Sequence, residues 1–194
     1  MTCCLPSFDH PRNHSQRLRI TELLPGDTAT VLAVFEGMSA HSRYLRFQTG
    51  APFLPNRTLR WLADVQSGRH VVHVAFLRDR PVGLVRWIRF PNEPPLAEIA
   101  VEVVDEVQGR GIGRTLVGHA ARSALAAGID DFLAYVAVGN RLVRDWAREL
   151  GAVAEPDDAG ALRLPVAPLV TAAAASRTGR IARRWWKEWR MPRL

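Results

Sequence analysis

Cysteine, lysine and long apolar runs are the scarce features of this 194-residue chain. Its two cysteines, the adjacent Cys3 and Cys4, are too few for a disulfide framework. No stretch approaches the ~20 apolar residues that cross a bilayer, and Met1–Ile20 contains no apolar segment of the secretory kind. We therefore expect a cytoplasmic protein. Neither G-x-S-x-G nor H-E-x-x-H occurs, which disfavours the hydrolases those motifs mark. His70 and His73 frame Val71-Val72 with no third His, Cys or acid at matching spacing, so no metal is expected. Lys187 is the only lysine against 25 arginines, a bias that points to a GC-rich genome rather than to a binding function.

What is present reads as one domain with extensions. Apolar residues make up 47% and charged residues 23% of the chain, a globular balance. The net charge is +7, but it is not spread out. Six arginines and Lys187 against Glu188 place +6 within Thr171–Leu194, leaving +1 for the first 170 residues. A nucleic-acid-binding protein carries its charge over a folded face, so no specific nucleic-acid partner is expected.

Residues 1–17 are polar, with Pro6 and Pro11, and read as a flexible N-terminus. Alternation over Leu18–Leu23 predicts a first strand, stopped by Pro25-Gly26. Asp27 and Thr28 cap a helix carrying Val31, Val34 and Phe35. Short helices follow over Ser39–Phe47 and Arg57–Val65. A hairpin is expected from Val71–Leu77 and Val82–Phe90 around the turn Arg78-Asp79-Arg80-Pro81, then a strand over Leu96–Val104. After Asp105 the period changes from two to 3.6: Ile112, Leu116, Ala120 and Ala124 mark a helix over Gly111–Ala127. Phe132–Val138 reads as a buried strand, Asn140–Leu150 as a helix closed by Gly151, and Ala161–Pro165 as a last strand. Pro165–Thr171 reads as a linker to the tail. The fold class is α/β, a mixed and mostly antiparallel central sheet flanked by helices.

The segment Gln108-Gly109-Arg110-Gly111-Ile112-Gly113 fits Q/R-x-x-G-x-G/A and joins a strand to a helix. Glycines let the backbone turn tightly and approach an anion closely. The helix start then offers unpaired N–H groups and partial positive charge to a pyrophosphate. It is neither G-x-G-x-x-G nor a P-loop.

In this context the segment resembles the pyrophosphate-binding motif of the GCN5-related N-acetyltransferase (GNAT) family, and Asn140 with Leu150-Gly151 resembles that family's N…LG motif. The resemblance spans roughly 96–152 and assigns a GNAT domain to residues 18–168. It implies acetyl-CoA as co-substrate, held by Gln108, Gly109, Arg110, Gly111, Ile112, Gly113, Arg114 and Thr115. The backbone of Val101 and Val103 would pair with the pantetheine, and Asn140 would contact its arm. A narrower resemblance is to bacterial Pat-type protein lysine acetyltransferases. It is carried by Ser39-Ala40-His41-Ser42-Arg43-Tyr44-Leu45-Arg46-Phe47, which matches S-x-x-S-x-Y-x-R-F, and by Ala97-Glu98-Ile99-Ala100 with Gln108 ten residues after Glu98. That branch implies a protein lysine as acceptor and Glu98 as general base. No cyclic-nucleotide-binding domain of the kind some members carry is seen, so that regulation is not implied.

The chemistry gives Glu98 the same role independently. An ammonium must lose a proton before it attacks a thioester, and a carboxylate beside the acyl group can take it. Glu98, Ala100 and Glu102 share one strand face, but Glu102 is expected to be a solvated charge, as are Asp105 and Glu106. Tyr44 and Phe47 either pack their helix on the sheet or line the acceptor entrance. The family's usual acid, a tyrosine seven residues after the asparagine, is replaced by Ala147, so the thiolate has no standard proton donor. A small-amine acetyltransferase and a non-catalytic acyl-CoA sensor remain the alternatives.

Residues 169–194 read as a basic, Trp-rich tail. On a helix over 177–190, Trp185, Trp186 and Trp189 fall on one side and every charged residue on the other. Such a stripe suits packing on the body or on a second copy, making a monomer or homodimer. It equally suits an acidic partner or peripheral attachment to an anionic membrane.

Overall fold

The computed structural model describes residues 18–49, 52–93 and 95–175. The expected tail helix over 177–190, Cys3 and Cys4 lie outside them.

The core is a seven-stranded sheet: β1 (Arg19–Glu22), β2 (His70–Leu77), β3 (Arg80–Arg89), β4 (Leu96–Val103), β5 (Asp131–Tyr135), β6 (Val153–Glu155) and β7 (Asp158–Pro165), ordered β1-β2-β3-β4-β5-β7-β6. Every pair is antiparallel except β4–β5. That parallel pair needs a crossover, supplied by α4 (Ile112–Ala126). Before the sheet's main body come α1 (Thr28–Glu36), α2 (Ala40–Phe47) and α3 (Asn56–Leu62); α5 (Arg141–Glu149) and α6 (Val166–Ala175) follow β5 and β7.

Two neighbours on β3 show how the faces are covered. Arg86 donates to the Leu62 carbonyl of α3, whereas Trp87 donates from Nε1 to Ser123 of α4, 2.9 Å away. Thus α1–α3 lie over one face and α4 with α6 over the other. On the α4 side, Leu116, Ala120, Ala121 and Ala124 are fully or nearly fully buried, and the small alanines let the helix sit close to the strands. The Ser123 hydroxyl accepts from Trp87 and shares a hydrogen bond with His73 Nε2 at 2.8 Å, and it lies 3.0 Å from the Ala120 carbonyl.

Several elements differ from expectation. The first hairpin turns on two residues, Arg78 and Asp79, both at positive φ (50° and 61°). Their twist matches that of the strands, so Arg80 and Pro81 join β3. The expected linker over 165–171 is instead the first part of α6, with Val166 and Leu169 buried. Pro168 sits in its first turn, where the missing N–H costs nothing. The short edge strand β6 was not expected at all, and β7 begins at Asp158 rather than Ala161.

Candidate active site

The sheet opens between its two parallel strands. β4 pairs with β5 only from Leu96 to Glu98, opposite Asp131 to Leu133. On its other side β4 stays paired with β3 over Ala97–Val103. The Leu96 carbonyl accepts from Phe90 and Val104 donates to Val82, so even-numbered residues of β4 turn their backbone groups toward β3. The odd-numbered residues therefore present theirs to β5. Beyond Glu98 no strand among the described residues meets them, and the backbone of Ile99, Val101 and Val103 faces the opening.

At the top of that opening stands the glycine segment. A 3-10 turn, Asp105–Val107, leads into Gly109 at φ 70° and Gly111 at φ 81°, and Gly111 is the N-cap of α4. Gly111 has no side chain with which to cap, and the first turn of α4 contains no acid. Among the described residues the first amides of the helix therefore have neither a capping side chain nor an acid in their own turn, and they suit an external anion.

Most of the expected side chains build this loop rather than reach into it. Gln108 donates to the Val103 carbonyl at 2.9 Å and to Asp105 at 3.3 Å, fixing the loop to the end of β4. Arg110 donates to the Glu106 carbonyl, Thr115 to the Gly111 carbonyl, and Arg114 lies 3.7 Å from Glu149 of α5. Asn140 caps α5 by accepting from Val143 N–H at 3.3 Å. Trp146 of α5 stands over Gly113, where a Cβ would meet its ring at 3.7 Å. Ala147 is buried, so no hydroxyl is offered at that position.

Glu98 is half-buried, at the last paired step before the opening. Glu102 is different from expectation. Its side chain is only 1% exposed and lies between two guanidinium groups, Arg46 of α2 at 2.9 Å and Arg86 of β3 at 3.5 Å. The register places Arg86 opposite Ala100, diagonal to both glutamates. Burial pushes Arg86 down to about 10, with the attraction of Glu102 and, less strongly, Glu98 opposing that shift. Asp105 is half-buried and accepts from Ser39 N–H and from Gln108, both at 3.3 Å. Glu106 remains exposed and pairs with Arg80.

Of the two aromatics on α2, Phe47 packs against Phe35 with ring centres 5.7 Å apart, while Tyr44 is exposed. His70 and His73 are buried on opposite sheet faces, and among the described residues no group of three His, Cys, Asp or Glu side chains is placed to hold a metal ion. Burial lowers both, His73 to about 4 with help from His119 and Arg122. No described helix is long and apolar enough to cross a membrane.

An opened mixed sheet with a glycine turn and bare helix start at the opening is the arrangement that the resemblance to the GNAT family implies. The sequence matches the acetyltransferase (GNAT) family over residues 38–152. The chain belongs to that family. The acetyltransferase Pat of Mycolicibacterium smegmatis is 34% identical over 149 residues, covering 74% of this chain and 44% of that protein. The chain thus spans less than half the length of that curated relative. Among solved structures, the GNAT domain of S. lividans PAT superposes with a TM-score of 0.70 at 24% identity, covering 76% of this chain and 88% of that one. A cAMP-binding acyltransferase from Mycobacterium smegmatis gives 0.55 at 28% identity, covering 80% and 46%. YncA of Salmonella typhimurium, solved with its cofactor acetyl-CoA, gives 0.63 at 17% identity, covering 77% and 94%.

Proposed function

We propose that this enzyme acetylates the ε-amine of protein lysines, with Glu98 as general base. One observation carries the reading: the β4–β5 pairing ends at Glu98, where the strand's backbone turns from a partner to an opening. Acetyl-CoA supplies an activated acyl thioester. The amides from Gly109 to Arg114, at the positive end of α4, bind its pyrophosphate, whereas the N–H of Thr115 already donates to the Gly111 carbonyl at 3.1 Å. The odd-numbered backbone of β4 at Val101 and Val103 receives the pantetheine as a strand would be received. Because Gln108 already holds the Val103 carbonyl, the N–H of Val103 and both groups of Val101 carry that pairing. Asn140 serves the site by fixing the start of α5 beside the pantetheine arm.

Glu98 takes the proton of the incoming ammonium, directly or through one water, and so frees the nitrogen lone pair for attack on the carbonyl carbon. Ala147 cannot return a proton to the thiolate, so that proton comes from water. The Pat relative and the match of Ser39–Phe47 to the Pat-type pattern favour a protein lysine over a free amine.

The test is incubation of the purified chain with acetyl-CoA and a bacterial lysate, then mass spectrometry of acetylated sites, with spermidine and free amino acids assayed in parallel. New acetyl-lysines that depend on Glu98 support the reading. Turnover confined to free amines transfers the chain to the small-molecule class, and tight CoA binding without any transfer makes it a sensor.

A further inference from the structure

Helix α2 has no buried side chain. An eight-residue helix is not stable by itself, so its position depends on what it holds. Phe47 packs against Phe35, the Arg43 guanidinium lies 4.3 Å over the same ring, and the helix's hydrogen bonds do the rest. Arg43 donates to the carbonyls of Phe35, Glu36 and Pro52, and the Ser39 N–H donates to Asp105. The attachment to the sheet is Arg46 Nε to Glu102 at 2.9 Å. Glu102 is sealed from behind by Arg86, itself 2% exposed, which also donates to the Leu62 carbonyl. Exposed ion pairs are weak and tolerant of geometry, whereas a buried one must keep its geometry or leave a charge unpaired.

Glu102, Ala100 and Glu98 follow one another on the same face of β4. Arg46 therefore fastens α2 at one end of a row whose other end is the carboxylate that receives the acceptor. Ala100 between them presents only a methyl group, with Arg86 opposite it across the ladder. We propose that the Arg46–Glu102 pair, backed by Arg86, is a latch that sets α2 as the wall of the acceptor slot. Arg46 and Glu102 are positioning residues for the acceptor amine, not for acetyl-CoA. This rests on Glu98 as the base of the proposed reaction.

The test compares Arg46→Met, which keeps an apolar stem and loses the charge, with Arg46→Lys, which keeps the charge. Poly-L-lysine and spermidine serve as acceptors, calorimetry gives acetyl-CoA affinity, and hydrogen exchange reads the amides of residues 43–48 and of α4. Arg46→Met should raise the acceptor KM tenfold or more while kcat changes less than threefold and acetyl-CoA affinity stays the same. Exchange should quicken in 43–48 and not in α4, and Arg46→Lys should recover most of the KM. Unchanged KM and exchange, or an equal loss of acetyl-CoA affinity, overturns the latch. If wild type acetylates neither probe, the lysine reading is what has failed, and exchange decides the latch: quickening confined to α2 supports it, and none refutes it.

Discussion

Replacing each glutamate of β4 by glutamine should separate a chemical role from a structural one. Glu98 is half-buried at the opening, and its charge gives Arg86 only the weaker of the two glutamate attractions. Glu98→Gln should therefore fold normally, bind acetyl-CoA and lose about 10²–10⁴-fold in kcat, the usual contribution of a general base. That loss corresponds to about 3–5 kcal/mol of barrier. Glu102→Gln removes the anion between Arg86 and Arg46 and leaves a sealed cation without its counter-charge. Breaking a buried pair in this way costs about 3–5 kcal/mol. The lower figure applies because the Arg46 side chain, 23% exposed, remains partly hydrated. For a domain of this size, about 3 kcal/mol lowers Tm by roughly 6–12 °C. The assays are thermal melts followed by circular dichroism, and acetyl transfer under saturating acetyl-CoA at a temperature well below both melts. A folded Glu102→Gln without activity beside an active Glu98→Gln would refute the assignment of the base, whatever the acceptor.

Three further outcomes are expected. Gly111→Asp has open space around its Cβ and an αL conformation that Asp tolerates; it should fold and lose acetyl-CoA affinity at least tenfold by calorimetry, because a negative charge then occupies the anion site. His73, held at about 4 against an ordinary value near 6.5, takes up its proton more readily when unfolded. Its contribution is whole above about pH 6.5 and is lost as pH falls toward 4, on the order of 2–3 kcal/mol; urea midpoints at pH 7 and pH 5 should differ by more in wild type than in His73→Asn. Arg78→Asn places a residue suited to positive φ at the first position of the tight turn, and should raise Tm by about 1–3 °C.

How legible each part was depended on how local its cause is. The glycine turn and α4 could be read because the conformational demand at Gly111 and the spacing Ile112, Leu116, Ala120, Ala124 are written within a few residues. The β4–β5 opening was legible only through family resemblance, since no local pattern says where two strands stop pairing. Glu102 was misread. An acid in an alternating strand looks solvated unless the register is known, and it is the pairing of Arg86 with Ala100 that puts a guanidinium beside it. Arg46 stood in plain view within the Ser39–Phe47 motif, but its partner lies 56 residues away. Pro168 concealed α6, because a proline near a domain end looks like a stop when it can equally be a start. Strand β6 has three residues and neighbours Pro156-Asp157-Asp158, so it exists by pairing with β7 rather than by propensity.

The opening beside β4 has a thermodynamic side. A sheet with a gap inside it is unfinished, and the amides of Val101 and Val103 are groups that folding leaves without a strand. A ligand that fills the gap and binds no unfolded chain adds its binding free energy to the stability of the fold, about 2.7 kcal/mol at a hundred times its Kd. Occupancy of the seam then sets how often the sheet breathes and how long its edges are available for pairing with another chain. With acetyl-CoA in the seam, as proposed above, the fold would be steadier when that ligand is plentiful, and its turnover by proteases would fall accordingly.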